Sequence, residues 1–353
     1  MSTAAPARAA MRNPARLPVA WLLAAIAFTL VAATVAVTFG PASVPPSQVA
    51  RALLDLLPGV DVDHGLHGPL AAVVTEVRLP RVVLAGLVGS VLATAGGAYQ
   101  ATFGNPLADP YLLGVAAGAG LGVTIALTGT GEALGRAGIT STIAAFIGAL
   151  VAVTLAYLLG RDADRARTTA SLILAGVAVA ALFSALQAFL LQRDDEAIRD
   201  VYGWLLGRFN VAGWSQVRLL APIAIVSIGA IVGAGRRLDV LALGDDEAAA
   251  LGIDPVRVRR WVILAATLGT AAAVAVSGLI GFVGIIVPHA LRLLTGPSYR
   301  RILPLSAICG AGFLCLADLV ARSALAPAEI PIGVVTALVG APSFLLILRT
   351  RAR

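Results

Sequence analysis

The chain has 353 residues, 59% of them hydrophobic and 13% charged, with a formal net charge of +7 and a mean hydropathy of +0.91. A soluble domain has nearly a quarter of its residues charged, so composition excludes an ordinary soluble globule and indicates a polytopic helical membrane protein. All 26 basic residues are arginine, which removes Schiff-base chemistry and any phosphate-binding P-loop, whose lysine is obligatory; the arginines fall mainly at helix ends, where they do not form a nucleic-acid surface.

Residues 1–16, rich in Ala, Pro and Arg, read as a cytoplasmic tail, and 17–40 as the first apolar span. A cleaved signal peptide also joins a basic start to an apolar run, but this run is long for one and many spans follow, so a retained helix is expected. Residues 41–77 read as an external loop with an amphipathic turn at 47–57. Nine further spans are expected at 79–103, 111–128, 139–159, 172–191, 217–234, 261–276, 278–294, 302–320 and 332–348, the eighth span (278–294) interrupted by Pro288. The stretch 192–210 contains Tyr202-Gly-Trp-Leu-Leu-Gly207, which suits the membrane interface because Trp and Tyr favour that depth. The fold expected is therefore all-α, with a ten-helix transmembrane domain over 17–348 and a short tail at 349–353. Ten spans put both termini on one side, where 17 of the 26 arginines then lie. The positive-inside rule makes that side cytoplasmic, N-in and C-in.

The segment 238–260, between the sixth and seventh spans, is a polar interruption on that side. Asp245, Asp246 and Glu247 follow Gly244 where a helix would begin, and carboxylates there are favoured by the helix dipole. Gly252 and Pro255 supply a stop. Ala248 and Leu251 are expected to share one face with Leu241 and Gly244, forming a two-turn amphipathic helix against which an aqueous partner would press.

Arg78, Arg81 and Arg322 stand at the outer tops of the second and ninth spans. Their guanidinium forks suit carboxylates of a docking protein or an anionic ligand; the alternative is arginines at the membrane edge, with Asp318 offering Arg322 an ion pair one turn away. Asp318 is also the most deeply placed acid, which raises proton coupling against salt bridging. His289, after Pro288, suits a helix bend. His64 and His67, with Asp61 and Asp63, are metal-type residues in a loop without a second cluster, and no metal site is expected. Cys309 and Cys315 lie about 240° apart around one helix and read as packing residues. The chain has only three histidines, so it offers no nucleophile–base set and no enzyme is expected. Gly114, Gly118 and Gly122, and Gly278, Gly281 and Gly284, read as positions of close helix packing. Arg78-Leu-Pro-Arg81 and Arg257-Val-Arg-Arg260 each open an apolar run rich in small residues, from opposite sides, as an inverted repeat would.

Several motifs occur in order: Arg78-Leu-Pro-Arg81, Gly104-Asn-Pro-Leu-Ala-Asp-Pro110, Leu243-Gly-Asp-Asp-Glu-Ala-Ala-Ala-Leu-Gly252, Gly281-Phe-Val-Gly-Ile-Ile-Val-Pro-His289 with Arg292, Ala317-Asp-Leu-Val-Ala-Arg322 and Glu329-Ile-Pro-Ile-Gly-Val-Val-Thr336. As a set, from about residue 17 to the C-terminus, they resemble the FecCD family of ABC importer permeases, which serve vitamin B12, iron-siderophores and haem. The resemblance implies a paired permease, two separate ATP-binding cassette subunits that hold the ATP and its Mg, no cofactor in this chain, and an extracytoplasmic substrate-binding protein. It assigns ATPase coupling to Leu243, Gly244, Asp245, Glu247, Ala248, Leu251 and Gly252, docking of the binding protein to Arg78, Arg81 and Arg322, and a cytoplasmic gate to Thr168 and Thr169, followed here by Ala170. The implied location is the bacterial inner membrane, and the implied cargo a large metal chelate, an iron(III)-siderophore before cobalamin or haem. A proton-coupled secondary transporter using Asp318 is the rival class.

Overall fold

Lipid offers no hydrogen bonds, so every break in an apolar helix must have its backbone groups satisfied from within the protein. The computed structural model describes residues 17–40, 44–55, 69–129, 138–160, 169–209 and 212–351, and among them it is helical without strands. The chain begins with α1 (Val19–Thr38) and the short α2 (Pro46–Asp55). A single turn at Pro69–Ala72 and a π-helical stretch at Val73–Arg78 then run unbroken into α3 (Leu79–Phe103). Residues expected in a loop up to Val77 are thus already helical from Pro69. Pro80 has no N–H to donate, and the Leu79 N–H reaching back to the Val74 carbonyl widens the turn just before it.

Next come α4 (Val115–Gly129), α5 (Gly138–Leu159), α6 (Thr169–Leu191), the short α7 (Asp195–Leu205) and α8 (Trp214–Gly233). Two short helices, α9 (Gly235–Leu241) and α10 (Asp245–Ala250), precede α11 (Pro255–Ser277), α12 (Val283–Thr295), α13 (Tyr299–Ser323) and α14 (Ile332–Arg351). Among the described residues seven helices are long and apolar enough to cross a membrane, and α4, α12 and α14 contribute three shorter apolar stretches.

Two of the short helices explain how the chain crosses without a full-length span. At 1.5 Å per residue, α4 and α12 cover about 22 and 20 Å, less than the roughly 30 Å hydrocarbon core. The remainder is not α-helical, 104–114 before α4, with a 3₁₀ turn at Pro110–Leu113, and 278–282 before α12, and these two breaks meet. The Tyr111 hydroxyl donates to the Ile280 carbonyl (3.0 Å) and accepts from the Ile280 N–H (3.1 Å). The expected interruption of the eighth span at Pro288 lies instead at 278–282, and Pro288 sits inside α12. The helix tolerates it because the Gly284 carbonyl, one turn earlier and denied its usual donor, accepts from Gln100 Nε2 at 3.0 Å.

α3 is the buried centre, lying against α8, α11, α12 and α13. A Cβ on Gly89 would stand 2.2 Å from the Gly310 carbonyl oxygen, and one on Gly96 2.0 Å from that of Gly284. Gly118 and Gly122 serve α4 against α5 in the same way, as the packing reading expects. The 278, 281 and 284 set is not such a stripe, because the first two fall in the irregular break and a Cβ on Gly281 meets nothing within 4 Å.

The order long buried helix, break, short helix, two further helices occurs twice, from α3 to α6 and from α11 to α14. The two units run in opposite senses: Thr102 near the end of α3 touches Arg259 near the start of α11, which matches the inverted-repeat reading. Replacing Gln100 with Leu leaves the Gly284 carbonyl without a donor and is expected to cost about 1–3 kcal/mol. The thermal midpoint of the detergent-purified protein should fall for Gln100→Leu and hold for Gln192→Leu; equal midpoints would mean that Gln100 does not support the α12 break.

Candidate functional site

Polar side chains gather at the two ends of the bundle. At one end the π-helical entry and α3 carry Arg78 and Arg81, α13 carries Asp318 and Arg322, and Glu329 lies in the α13–α14 connection. The three arginines expected to act together do meet, but they are 4%, 8% and 3% exposed and turned inward. Arg81 Nε donates to both Asp318 oxygens (3.0 and 3.1 Å) and Nη2 to Oδ1 (2.9 Å). Its other edge holds Glu329 through Nη1 and Nη2, at 2.8 and 3.0 Å. Arg322 Nε stands 3.5 Å from Asp318 Oδ2. Of the two readings of Asp318, the salt bridge is therefore the one present.

The remaining arginine valences go to the C-terminus of α1, where the last carbonyls lack intrahelical partners and the dipole favours cations. Arg78 Nη1 donates to the carbonyls of Val37 (3.2 Å) and Thr38 (2.9 Å), and Arg322 Nη2 to that of Ala36. Arg81 and Arg322 thus share Asp318, and Arg81 holds Glu329 as well. Beside them lies a cavity of about 180 Å³, lined in part by Arg81, Arg208, Asp318 and Glu329. Sequence reasoning missed Glu329 and the α1 carbonyls; the Glu-Ile-Pro run gave no sign that a distant guanidinium would use it.

At the opposite end stands the polar segment between α8 and α11. The short helix expected between Gly244 and Gly252 is present as α10, with α9 before it, but the shared face does not form: Leu241 and Ala248 are buried, while Leu243 and Leu251 are 64% and 63% exposed. The reason is the cap. Gly252 takes the left-handed conformation (φ +78°), its N–H bonds to the Ala249 carbonyl and that of Ile253 to the Ala248 carbonyl, both at 2.9 Å, which ends α10 and turns Leu251 outward. Gly244 opens the helix at φ +131°, a region that side chains rarely enter, and a Cβ there would also meet the Glu247 carboxylate at 2.2 Å.

The segment is tied down on several sides. Arg259 donates from Nη1 and Nη2 to the two Asp245 oxygens, each at 2.6 Å, and from Nε to the Thr102 carbonyl at the end of α3 (3.2 Å). The hydrogen bond from Arg259 holds the Asp245 carboxyl below its ordinary pKa. A depressed carboxylate contributes stability above its unfolded pKa and loses it as pH falls through the folded value, so this latch stays closed from neutrality down to about pH 4. Asp254 caps α11 by accepting from the Arg257 N–H (3.0 Å), and Asp239, unremarked in the sequence, accepts from Ser298 Oγ (2.8 Å) and the Tyr299 N–H at the start of α13.

Of the remaining candidates, Thr168, His64 and His67 lie outside the described residues, and Thr169 opens α6. His289 is buried in α12, and Cys309 and Cys315 are unbridged. No group of three or more metal-type residues occurs among the described residues.

A bundle of apolar helices with paired breaks, an inward arginine–acid cluster at one end and a capped polar segment at the other defines a membrane permease with inverted repeats. The FecCD transport family matches residues 25–350, and the chain belongs to that family. The cobalamin import permease BtuC of Halobacterium salinarum is 36% identical over 97% of this chain and 99% of its own length. The hemin transport permease HmuU of Yersinia pestis is 41% identical over 78% of this chain and 83% of its own. A solved metal-chelate type ABC transporter, inward-facing, superposes with a TM-score of 0.80 at 29% identity, covering 94% of this chain and all of the other. The protein is a multi-pass permease subunit of an ABC importer for metal chelates in the cytoplasmic membrane.

Removing one partner of a buried pair typically costs about 3–5 kcal/mol, because the other charge is left stranded. Arg81→Met should lower the unfolding midpoint steeply, and the joint Arg81→Met, Asp318→Leu variant should recover part of that loss. Strictly additive losses in the double-mutant cycle would deny that the two side chains act as a unit.

Proposed function

We propose that two copies of this chain enclose the transport pathway of an importer for a large metal chelate, an iron(III)-siderophore complex, with ATP and its Mg ion held by two separate cassette ATPases. Membership of the FecCD family over nearly the whole chain carries this reading. The chain itself performs no hydrolysis and holds no cofactor. Its termini lie in the cytoplasm, and α10 with its flanking turns, Leu243, Gly244, Asp245, Glu247, Ala248, Leu251 and Gly252, receives the ATPase. The support is geometric: exposed Leu243 and Leu251 flank a helix whose caps and Asp245–Arg259 pair fix it to α11 and α3, so a push on it moves those helices.

The binding protein docks at the arginine end. Arg78, Arg81 and Arg322 act there from beneath, as the buried cationic floor of the cavity that Glu329 borders; they do not stand as free forks. Thr168 and Thr169 narrow the cytoplasmic exit where α6 begins. Cobalamin or haem is the second reading of the cargo, favoured by the named functions of two relatives. A proton-coupled carrier has less support, because both Asp318 oxygens are engaged by arginine.

Two experiments test this reading. In proteoliposomes containing the permease, its ATPase and its binding protein, Gly244→Val and Asp245→Arg are expected to cut uptake at least about tenfold, the size of a 1.4 kcal/mol loss, while ATP hydrolysis continues. Uptake at the wild-type rate would remove α10 from the coupling path. Calorimetric titration of the cognate binding protein with ferric siderophores, cobalamin and haem should give one tight ligand; tight binding of cobalamin or haem alone would replace the siderophore assignment.

A further inference from the structure

A groove between α8 and α11 opens beside the turn that ends α10. α8 and α11 touch closely midway along their lengths, where Ser227 Oγ donates to the Ala265 carbonyl (2.8 Å) and a Cβ on Gly269 would stand 2.2 Å from that hydroxyl. From there they splay apart toward the end that carries α10. The wedge between them is a cavity of about 700 Å³. One wall presents Val226, Ala230, Gly233 and Arg237, the other Leu268, Leu264, Trp261 and Arg257, each at helical spacing along a single face. Gly252, Ile253 and Asp254, just after the α10 cap, close its mouth.

Three observations specify an occupant. The depth from Arg257 to Leu268, both on α11, is eleven residues, or about 16 Å along the helix, which is half of a bilayer core and so the length of one leaflet's acyl chains. The hollow is not required by internal packing, since a Cβ on Gly233 would meet nothing within 4 Å. The mouth is cationic: among the described residues no carboxylate pairs with Arg237, and Arg257 has only a loose 3.7 Å contact with Asp254. The neighbouring arginines are already committed, Arg259 to Asp245 and Arg260 to the Tyr157 hydroxyl.

We infer that this groove binds an anionic glycerophospholipid, its acyl chains between α8 and α11 and its phosphate between Arg237 and Arg257. An apolar slot one leaflet deep with two guanidinium groups at the headgroup level suits that molecule better than a water-soluble anion, which would not use the walls, or a zwitterionic lipid, which would not use the surplus charge. The headgroup would rest against the turn that ends α10, so membrane charge would bear on the segment that the ATPase presses.

The test uses the full-length, delipidated protein in detergent, titrated with dioleoyl phosphatidylglycerol or dioleoyl phosphatidylcholine and read by native mass spectrometry. The wild type should retain phosphatidylglycerol with at least a tenfold preference, and Arg237→Gln and Arg257→Gln should each reduce that retention about fivefold. Gly233→Leu, whose Cβ enters open space and whose side chain extends into the slot, should reduce retention of both lipids. Arg199→Gln, an exposed arginine on α7 outside the groove, should change nothing. Equal retention of the two lipids, undiminished retention in the arginine or Gly233→Leu variants, or a cysteine at position 233 that crosslinks two copies of the chain would each overturn the assignment.

Discussion

The structure depends on satisfying main-chain polar groups where there is no water to do so. Two breaks, 104–114 and 278–282, expose backbone inside the bundle, and they are tolerable only because each lies against the other, with Tyr111 serving both the N–H and the carbonyl of Ile280. The same requirement fixes Gln100 under the carbonyl that Pro288 leaves unserved. Both supports need α3 to approach α12 at backbone distance, and Gly96 against Gly284 permits that approach. The central helix is therefore rich in small residues because polar groups must be reached as well as because packing is tight.

How far the sequence reveals this follows from the range of each signal. Apolar runs about twenty residues long are a local property, so the spans were legible, as were the start at Gly244 and the stop at Gly252, whose residue types act within one turn; the Asp254 cap was not, and Pro255, read as a stop, opens α11. The glycines of α4 were legible as packing positions. The glycines at 278 and 281 were not, because the same spacing occurs in a stripe and in a broken segment, and only the partner across the bundle decides between them. Pro288 misled for a related reason. A proline interrupts a helix when its orphaned carbonyl finds no donor, and here the donor is Gln100, 188 positions away in the chain.

The candidate sites divide in the same manner. The polar segment before α11 was recognised by composition, but the outward turn of Leu251 is set by cap geometry that the residue pattern does not specify. At the other end the three arginines do fall at the ends of their helices, yet the direction of each guanidinium depends on carbonyls at the end of α1 and on Glu329, none of them near in sequence. An arginine at a membrane edge reads alike whether it faces water or a buried acid; burial separates the two cases, and burial is a property of the assembled bundle.

The two ends are joined by the most deeply buried long helices. α3 carries Arg81 in its first turn and presents the Thr102 carbonyl to Arg259 in its last, a separation of about 32 Å along one rod. α11 runs the other way, from Arg259 beside Asp245 to Ser277, whose carbonyl accepts from the Arg208 N–H at 2.9 Å next to the arginine-lined cavity. The capped segment is thus connected to the far end through two antiparallel rods that meet at Arg259 and again where the Tyr99 and Thr267 hydroxyls share a hydrogen bond of 2.9 Å. Gly96 sets α3 at backbone distance from α12, and Gly269 sets α11 close against Ser227 of α8 and the Val91 side chain of α3, so each rod is held by its neighbours. The inverted repeat, whose two halves supply one rod each, thus places the proposed ATPase contact and the proposed docking end on the same rigid frame.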